Sequence, residues 1–396
     1  MKFRKLSRII LAAGAALGLG LGVIACGPSN TIDFLYVTTS KQNPGKINVY
    51  KVDSESGALI QIADSPYSSE GRNPVADVAS PNGKNLYVIN HDDNTVVEFA
   101  IGTDGKLYPQ QTCNTPGSFP VQMAINSAGT FLYVIETYQP NFNANIPGPG
   151  ALVVYPISAD GSMGAGGGSC TPVANGKNSF FPVGTTPGAV DVLASNNYVY
   201  AVNTGDATVM AFSSDSTGAL TPIGTYPVGV APNAIASDPT NRFLYITDGA
   251  SNQVVGFVIQ SDGTLIPMQN PFPTQSLPDA ITVDPRGQWV LVANYNSNSI
   301  SSFAINQNSG NLATGASQTS PNFTVNTAPA AVLIEPALGR YVYTANFIDN
   351  TVTGVYMNPG SGALSGVQNS PFIAAGQPTS IAAVTHGNHS IQHTQP

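Results

Sequence analysis

The chain has 396 residues, only 9% of them are charged, and its formal net charge at pH 7 is −8. An acidic, charge-poor surface argues against binding to nucleic acid, which requires a basic stripe or patch. The length exceeds what a single ordinary hydrophobic core fills, so either several domains or a repeat architecture is expected.

The N-terminal segment is predicted to direct export. Residues 2–8 carry four positive charges and no negative one, and an apolar stretch follows at 9–24. This order is typical of a secretory signal peptide. Val23-Ile24-Ala25-Cys26 also resembles a bacterial lipobox, in which the cysteine becomes the lipidated first residue of the mature chain. We therefore predict a lipoprotein signal peptide at 1–25, lipidation of Cys26 and a tether at 26–31.

Lipidation would place the protein outside the cytoplasm in the bacterial cell envelope, in the periplasm or at the outer membrane. Contact with the membrane would be made through the lipid alone, since no later segment is long and apolar enough to span a bilayer. Loss of residues 1–25 would change the formal net charge from −8 to −12. The alternative is an ordinary signal peptide, or an uncleaved anchor, with a chance cysteine.

After the export segment, a short strand-forming triplet recurs seven times. Its central residues lie 51, 46, 67, 45, 46 and 52 positions apart. Between the copies lie further short β-branched and aromatic runs, separated by Gly, Asn, Asp and Pro turns, without sustained helical periodicity. A period of about 40–50 residues made of strands is typical of β-propeller blades. The triplets are Leu35-Tyr36-Val37, Leu86-Tyr87-Val88, Leu132-Tyr133-Val134, Val199-Tyr200-Ala201, Leu244-Tyr245-Ile246, Val290-Leu291-Val292 and Val342-Tyr343-Thr344.

The pattern therefore predicts an all-β, seven-bladed β-propeller at 32–385, with strands A to D in each blade from the axis outward. Strand A begins after a proline in every copy, where the missing N–H is tolerated. The propeller begins with a strand of type B at 32–37 and ends with an unpaired strand A at 378–384. We expect these two strands to complete one blade and close the ring, which removes two exposed sheet edges. The tail at 386–396 is expected to be loose.

The third blade is longer than the others, and a cysteine lies in its additional sequence. Cys113 falls late in blade two and Cys170 late in blade three. Neighbouring blades could bring the two together, and an extracytoplasmic location permits oxidation. The prediction is a disulfide between them, with two separate buried thiols as the alternative.

In a propeller, the loops from D to A and from B to C share the rim at the mouth of the central channel, where ligand sites usually lie. Glu136 and Arg72 depart from the repeat at this rim. A buried glutamate could act as a general base, and a guanidinium could bind an anionic group. We predict these two as catalytic candidates, whereas Asn and Asp directly after strand B could serve only to stabilise turns. The predicted ligand-binding rim comprises His91, Asp92, Tyr138, Asn203, Asp248, Asn294, Tyr295 and Asn346.

Metal and cofactor motifs are not visible in the sequence. His91-Asp92-Asp93-Asn94 is rich in oxygen ligands but lacks the spacing of a calcium loop. No Cys/His cluster for zinc, phosphate-binding glycine loop or nucleophile elbow occurs. We expect neither a metal nor a cofactor.

The repeats resemble the lactonase-type seven-bladed propellers, which include 6-phosphogluconolactonase-like proteins and the related YVTN repeat proteins. The resemblance covers about residues 32–385 and rests on Pro232 to Ala236, on Phe243-Leu244-Tyr245-Ile246 and on turns such as Thr217-Gly218-Ala219-Leu220. It implies the propeller fold and lactone hydrolysis at the channel.

Family members with lactone chemistry typically place histidine, arginine and glutamate in the channel, commonly with a histidine just after the strand A proline. None of the seven corresponding positions is a histidine in this chain, and among its arginines only Arg72 lies at the channel mouth. These positions are Val75, Val121, Gly188, Asn233, Asp279, Ala330 and Thr379.

Two functional hypotheses follow. The first is a monomeric, non-catalytic propeller on the cell envelope that binds a protein, a glycan or a small lactone ligand at its rim. The second is an exported lactone hydrolase, similar to 6-phosphogluconolactonase, that uses Glu136 with Arg72.

Overall fold

The computed structural model describes residues 30–193, 195, 197–314, 322–387 and 389. The predicted signal peptide, Cys26 and most of the tether lie outside these residues, as do residues 390–396 of the tail. The described part contains a 3₁₀ helix at His91–Asp93 and 32 strands. No helix within it has the length and apolar character needed to cross a membrane.

The strand bounds are, in chain order, β1 Thr31–Thr39, β2 Lys46–Asp53, β3 Leu59–Gln61, β4 Tyr67–Ser68, β5 Pro74–Ala79, β6 Asn85–Asn90, β7 Thr95–Ile101, β8 Leu107–Asn114, β9 Ser118–Ile125, β10 Phe131–Tyr138, β11 Pro149–Pro156, β12 Phe181–Thr185, β13 Pro187–Val192, β14 Tyr198–Asn203, β15 Thr208–Ser214, β16 Leu220–Pro227, β17 Pro232–Ser237, β18 Phe243–Asp248, β19 Gln253–Ile259, β20 Leu265–Pro267, β21 Phe272–Pro273, β22 Pro278–Val283, β23 Trp289–Asn294, β24 Ser299–Ile305, β25 Leu312–Ala313, β26 Asn322–Thr324, β27 Pro329–Ile334, β28 Tyr341–Asn346, β29 Thr351–Met357, β30 Leu364–Gly366, β31 Phe372–Ile373 and β32 Pro378–Thr385.

These strands form seven antiparallel sheets, one for each predicted blade. From the axis outward, strands A to D are β32, β1, β2 and β3 in blade 1, β5–β8 in blade 2, β9–β12 in blade 3 and β13–β16 in blade 4. They are β17–β20 in blade 5, β22–β25 in blade 6 and β27–β30 in blade 7. The short strands β4, β21, β26 and β31 pair with strand C of their own sheets. The prediction of a seven-bladed propeller is confirmed.

The two chain ends close the ring as predicted. Strand β1 pairs antiparallel with β2 on one side and with β32 on the other, with Tyr36 opposite Ala382. The contact continues beyond β32, because the His386 amide donates to the Ile32 carbonyl at 2.7 Å. The His386 ring also packs edge-on against Phe34, with 4.7 Å between ring centroids. Closure thus joins residues more than 340 positions apart within one sheet.

The recurring triplet places a buried tyrosine at the centre of strand B. In five blades its hydroxyl donates to the carbonyl of a glycine in the C-to-D turn of the next blade, and the last of these contacts links blade 7 back to blade 1. Blade 3 uses Tyr133 with the Ser214 hydroxyl, and blade 6, which has leucine at this place, uses the Ser302 hydroxyl with the Gly362 carbonyl. The five tyrosine–glycine pairs are Tyr36–Gly105, Tyr87–Gly161, Tyr200–Gly263, Tyr245–Gly310 and Tyr343–Gly57, at 2.7–3.2 Å.

The turn requires glycine for two reasons. At Gly105, φ is +83°, a conformation that side chains with a Cβ rarely adopt. A Cβ there would also lie 2.3 Å from the Phe34 ring of the preceding blade. The repeated glycine therefore allows each turn to approach its neighbouring blade closely enough to accept the tyrosine proton.

The additional sequence of blade 3 packs against blade 2. It follows β11 and includes Met163, which is fully buried and whose backbone N–H donates to the Gln111 side chain at 2.7 Å. A disulfide joins Cys113 on β8 to Cys170 in this segment, across a separation of 57 residues. In the chain-entropy model a bond closing such a loop contributes about 4 kcal/mol to stability.

Two buried carboxyl groups meet beside the closing blade. Asp33 lies on β1, and Glu335 directly follows β27 and accepts the N–H groups of Leu338 and Arg340 at 2.7 and 2.8 Å. Burial, followed by the negative charge of Glu335, raises the pKa of Asp33 far above its ordinary value of 3.8. Asp33 is therefore protonated at neutral pH, whereas the unfolded chain would release this proton.

The inter-blade hydrogen bond can be tested with Tyr245→Phe. Because the substitution leaves the buried Gly310 carbonyl without its donor, we expect the free energy of unfolding to fall by about 1–3 kcal/mol. Tyr108→Phe is the matched control, since this tyrosine is 50% exposed and its hydroxyl should contribute little. Denaturant titration measures both variants, and equal stability of the two would contradict the role assigned to the buried hydroxyl.

The protonated Asp33 predicts an unusual pH dependence. A carboxyl whose pKa is raised by folding favours the folded state at low pH and loses this contribution as the pH rises above about 4. Asp33→Asn replaces the carboxyl group with an amide, which can donate a hydrogen bond but does not titrate. We therefore expect the free energy of unfolding of this variant at pH 8.5 to exceed that of the parent protein by at least about 1 kcal/mol. Denaturant titrations at pH 5 and 8.5 measure the effect. Parallel pH dependences of the two proteins would rule out a buried proton on Asp33.

Candidate functional site

The strands A of all seven blades surround one central cavity of about 450 Å³. Six of these strands begin at their proline, and Pro120 is the third residue of β9 in blade 3. In every blade the residue directly after the proline lines the cavity. Drug-sized and metabolite-sized ligands commonly occupy pockets of about 300–1,000 Å³. The cavity therefore has the size of a small-molecule site and lies where the seven blades converge.

One wall of the cavity carries an ordered chain of polar groups. The Thr247 hydroxyl accepts the Ala234 N–H at 3.0 Å and donates to the Asn233 Oδ1 atom at 2.7 Å. Asn233 Nδ2 then donates to the Asp279 Oδ1 atom at 2.9 Å. Burial raises the pKa of Asp279, and the bond from Asn233 partly opposes this effect. Blade 5 thus orients a carboxylate that blade 6 supplies to the cavity.

Tyr295, a predicted rim residue, belongs to the same region. It follows strand B of blade 6, and its backbone N–H donates to the Leu277 carbonyl at 2.7 Å. Burial and the nearby charge of Asp279 raise the pKa of its phenol. Tyr295 is therefore a predicted rim residue whose pKa depends on the charge of Asp279 in the polar wall.

Asp77 lines the cavity from blade 2. Its backbone N–H donates to the Ser380 hydroxyl of blade 1 at 3.2 Å. Burial raises the pKa of the Asp77 carboxyl to about 7. Both of its carboxylate oxygens are buried, and the nearby Ser380 hydroxyl partly opposes the rise in pKa. Asp77 is thus a buried acid in the lining of the cavity.

Basic side chains do not contribute to this cavity. Its described lining contains carboxyl, amide and hydroxyl groups, from residues such as Asp279, Asn233, Gln122 and Thr379, and no Lys, Arg or His. Within the same described residues, no group of three or more His, Cys, Asp or Glu is arranged to bind a metal ion. The lining suits a ligand with hydroxyl groups better than one with a phosphate.

Four of the predicted rim residues form hydrogen bonds that hold neighbouring segments of the sheets together, and we call these side chains clasps. Asn203, Asp248, Asn294 and Asn346 are fully buried at the end of strand B. Asn203 and Asp248 accept backbone N–H groups of the adjoining D-to-A loop, while the amides of Asn294 and Asn346 donate to strand C hydroxyls at 2.9 and 2.8 Å. These contacts favour the turn-stabilising interpretation over an exposed ligand surface.

Glu136 occupies the same place in blade 3. Its Oε2 atom accepts the Gly117 N–H at 2.9 Å, and the residue is fully buried. Burial raises the pKa of Glu136 to about 7. Glu136 is not among the residues that line the cavity. Its departure from the repeat is explained by a longer clasp in this blade, and its catalytic role stays a prediction.

Arg72 binds within its own blade. Its Nε atom lies 2.6 Å from the Asp93 Oδ1 atom, and its Nη2 atom donates to the Asp92 carbonyl at 2.9 Å. The guanidinium thus links the D-to-A and B-to-C loops of blade 2. Within the described residues, no ion pair or hydrogen bond joins Arg72 to Glu136. The structure therefore does not bring the two predicted catalytic residues together.

The remaining predicted rim residues form a cluster at the mouth between blades 2 and 3. The His91 ring stacks on Phe119 with 4.8 Å between centroids, and Tyr138 meets Phe119 edge-on at 6.0 Å. Asp92 accepts from Asn73 at 3.1 Å and lies 2.7 Å from His91 Nδ1. Ligand binding by this cluster is untested.

The mouth also depends on asparagines that sequence reasoning missed. Each is the last residue before strand C, has positive φ and accepts the N–H of the residue that precedes a strand A proline. Asparagine tolerates this left-handed conformation, and its repetition at this place was the available signal. The pairs are Asn94–Phe119, Asn252–Leu277, Asn298–Ala328 and Asn350–Gln377, at 2.7–3.0 Å.

Curated relatives match part of this chain. The chain is 32% identical over 130 residues to a 6-phosphogluconolactonase of Xenorhabdus nematophila, which is 33% of this chain and 35% of the relative. It is 29% identical over 122 residues to a 6-phosphogluconolactonase of Photorhabdus laumondii, which is 31% of this chain and 35% of the relative. The matched segments thus span about a third of each relative.

A structural comparison extends over most of the molecule. The periplasmic gluconolactonase PpgL of Pseudomonas aeruginosa superposes with a TM-score of 0.71 at 19% identity, covering 89% of this chain and 99% of that one. At this identity the similarity establishes the fold alone. The family model described as lactonase, 7-bladed beta-propeller matches residues 29–141, 169–276 and 194–325, together more than half of the sequence. The chain therefore belongs to the lactonase family of seven-bladed β-propellers.

Proposed function

We propose that the protein hydrolyses a small, uncharged sugar lactone in its central channel. Membership of the lactonase family supports the reaction class, and the cavity of about 450 Å³ has room for a single sugar ring. Asn233 and Asp279, which line the cavity, supply hydrogen-bonding groups suited to hydroxyls.

The observation that carries this proposal is the composition of the cavity lining. Proteins usually bind phosphate with Arg, Lys or backbone N–H groups. The described lining has carboxyl groups at Asp77 and Asp279 and no cation, so a phosphate would meet charges of its own sign. The relatives named 6-phosphogluconolactonase support lactone chemistry, whereas this lining favours a substrate without the phosphate.

A second candidate function is binding without turnover. The observation that favours it is the absence of histidine from all seven positions after the strand A prolines. In this case the protein would hold a protein, a glycan or a small lactone ligand. A protein or glycan would have to use the exposed parts of the mouth, such as Arg72 and Asp92, because the asparagine clasps are buried.

Selectivity between a neutral and a phosphorylated lactone tests the proposal. We expect kcat/KM for glucono-1,5-lactone to exceed that for its 6-phosphate by at least about tenfold, equivalent to about 1.4 kcal/mol. The assay uses the full chain extracted in detergent, with spontaneous hydrolysis of each lactone subtracted. A preference for the phosphorylated lactone would contradict the assigned substrate class. Binding of the neutral lactone without turnover would instead support the second candidate.

We propose further that Cys26 carries lipid and anchors the propeller on the outer side of a bacterial membrane. The lipobox-like Val23-Ile24-Ala25-Cys26 supports this location. In cells fed a labelled fatty acid, the parent protein should incorporate the label and fractionate with membranes, while Cys26→Ala should lose the label. Equal labelling of both proteins would contradict lipidation at this cysteine.

A further inference from the structure

A directional hydrogen-bond chain ends at a carboxylate in the cavity. The Thr247 oxygen accepts the Ala234 N–H and donates its proton to the Asn233 oxygen at 2.7 Å, with the Ala234 carbonyl as a longer second acceptor at 3.4 Å. This contact fixes the orientation of the Asn233 amide, so its NH₂ group faces Asp279 Oδ1. The second carboxylate oxygen, Oδ2, accepts no hydrogen bond from the described residues. Asp279 lines the cavity, and Asn233 thus holds its carboxylate through one oxygen, Oδ1.

We infer that Asp279 is the catalytic base of the channel and that Asn233 and Thr247 position it. This inference rests on the lactone hydrolysis proposed above. A general base must lie within hydrogen-bond reach of the proton that it removes and must be held in place. Asp279 meets both conditions through its place in the lining and its bond to Asn233.

The other buried carboxyl groups fit this role less well. Both oxygens of Asp77 are fully buried, and the nearby Ser380 hydroxyl only partly opposes the rise in its pKa. Glu136 is fully buried, lies outside the cavity lining and binds the Gly117 N–H. Asp191 accepts the N–H groups of Val192 and Ser237 with its two oxygens and does not line the cavity. Geometry therefore singles out Asp279.

The environment of Asp279 also strengthens it as a base. Partial burial raises its pKa, and the bond from Asn233 limits this rise. Tyr295, after strand B of the same blade, is its titratable neighbour. The adjoining strands A of blades 5 and 7 contribute Asn233 and Ala330 to the lining beside it, and neither of these carries a charge.

The reaction can be written with all atoms balanced. Asp279 Oδ2 accepts a proton from water as the water oxygen forms a bond to the lactone carbonyl carbon, and the carbonyl electron pair moves to its oxygen. When this pair returns, the bond from the carbonyl carbon to the ring oxygen breaks, and Asp279 delivers its proton to the leaving oxygen. One lactone and one water become one hydroxy acid, and no other reactant is consumed.

The test compares Asp279→Asn with Asp191→Asn in the full chain extracted in detergent, with glucono-1,5-lactone as substrate. Removal of a general base typically costs 10²–10⁴-fold, so we expect kcat of Asp279→Asn to fall at least about 100-fold with KM changed less than about threefold. Asp191→Asn is the matched control, a half-buried strand A aspartate outside the cavity, and should keep kcat within about twofold. Circular dichroism verifies the fold of each variant.

A second variant tests the positioning role and remains informative if Asp279→Asn does not fold. Because the Asn233 hydrogen bond lowers the pKa of Asp279, Asn233→Ala should move the acidic limb of the kcat profile to higher pH. An unchanged limb would overturn the positioning role.

The outcomes separate this inference from the proposed function. Turnover by the parent protein with unimpaired Asp279→Asn would overturn the base assignment and leave lactone hydrolysis intact. The same holds if Glu136→Gln or Asp77→Asn abolishes turnover while Asp279→Asn does not. Absence of turnover by the parent protein on neutral and phosphorylated lactones alike would overturn both.

Discussion

The hydroxyl of a buried strand B tyrosine donates to a glycine carbonyl in the next blade, and the remaining structure depends on this contact. Five tyrosines make this contact, Tyr133 and Ser302 make related contacts in the other two blades, and the contact from Tyr343 to Gly57 closes the circle. A propeller blade buries its faces only against its neighbours, so a repeated hydrogen bond between blades links every blade to the next. The shared turn also explains why glycine recurs where any side chain would collide with a neighbouring ring.

The same constraint positions the channel. Strand A begins at a proline in six blades, and carboxylate and asparagine side chains such as Glu136, Asp248 and Asn252 accept N–H groups of the loops that lead into these strands. The repeat therefore determines where the residue after each proline lies, but it does not determine its identity. This position is apolar in blades 2 and 7, with Val75 and Ala330, whereas Asn233 and Asp279 occupy it in neighbouring blades and bind each other. Chemical specificity is thus placed at positions that the scaffold leaves free to vary.

The fold could be predicted from the sequence because its signals are local and repeated. The seven triplets and the unpaired strands at 32–37 and 378–384 were enough to predict the blades and the closure. The candidate site was harder to predict, because Asn233 and Asp279 are 46 positions apart and only the ring brings them together. Glu136 attracted a functional interpretation because it departs from the repeat, yet it accepts a loop N–H as its equivalent Asp248 does in blade 5. The departure of Glu136 from the repeat therefore did not show whether its side chain stabilises a loop or takes part in catalysis.

A crystal structure of the protein with a non-hydrolysable lactam analogue of glucono-1,5-lactone would test the central claim most directly. The account predicts the analogue in the central cavity, with the carbonyl carbon facing Asp279 and with ring hydroxyls bound to neighbouring polar groups of the lining. An analogue bound at the rim beside Arg72, with the cavity free of it, would contradict the account.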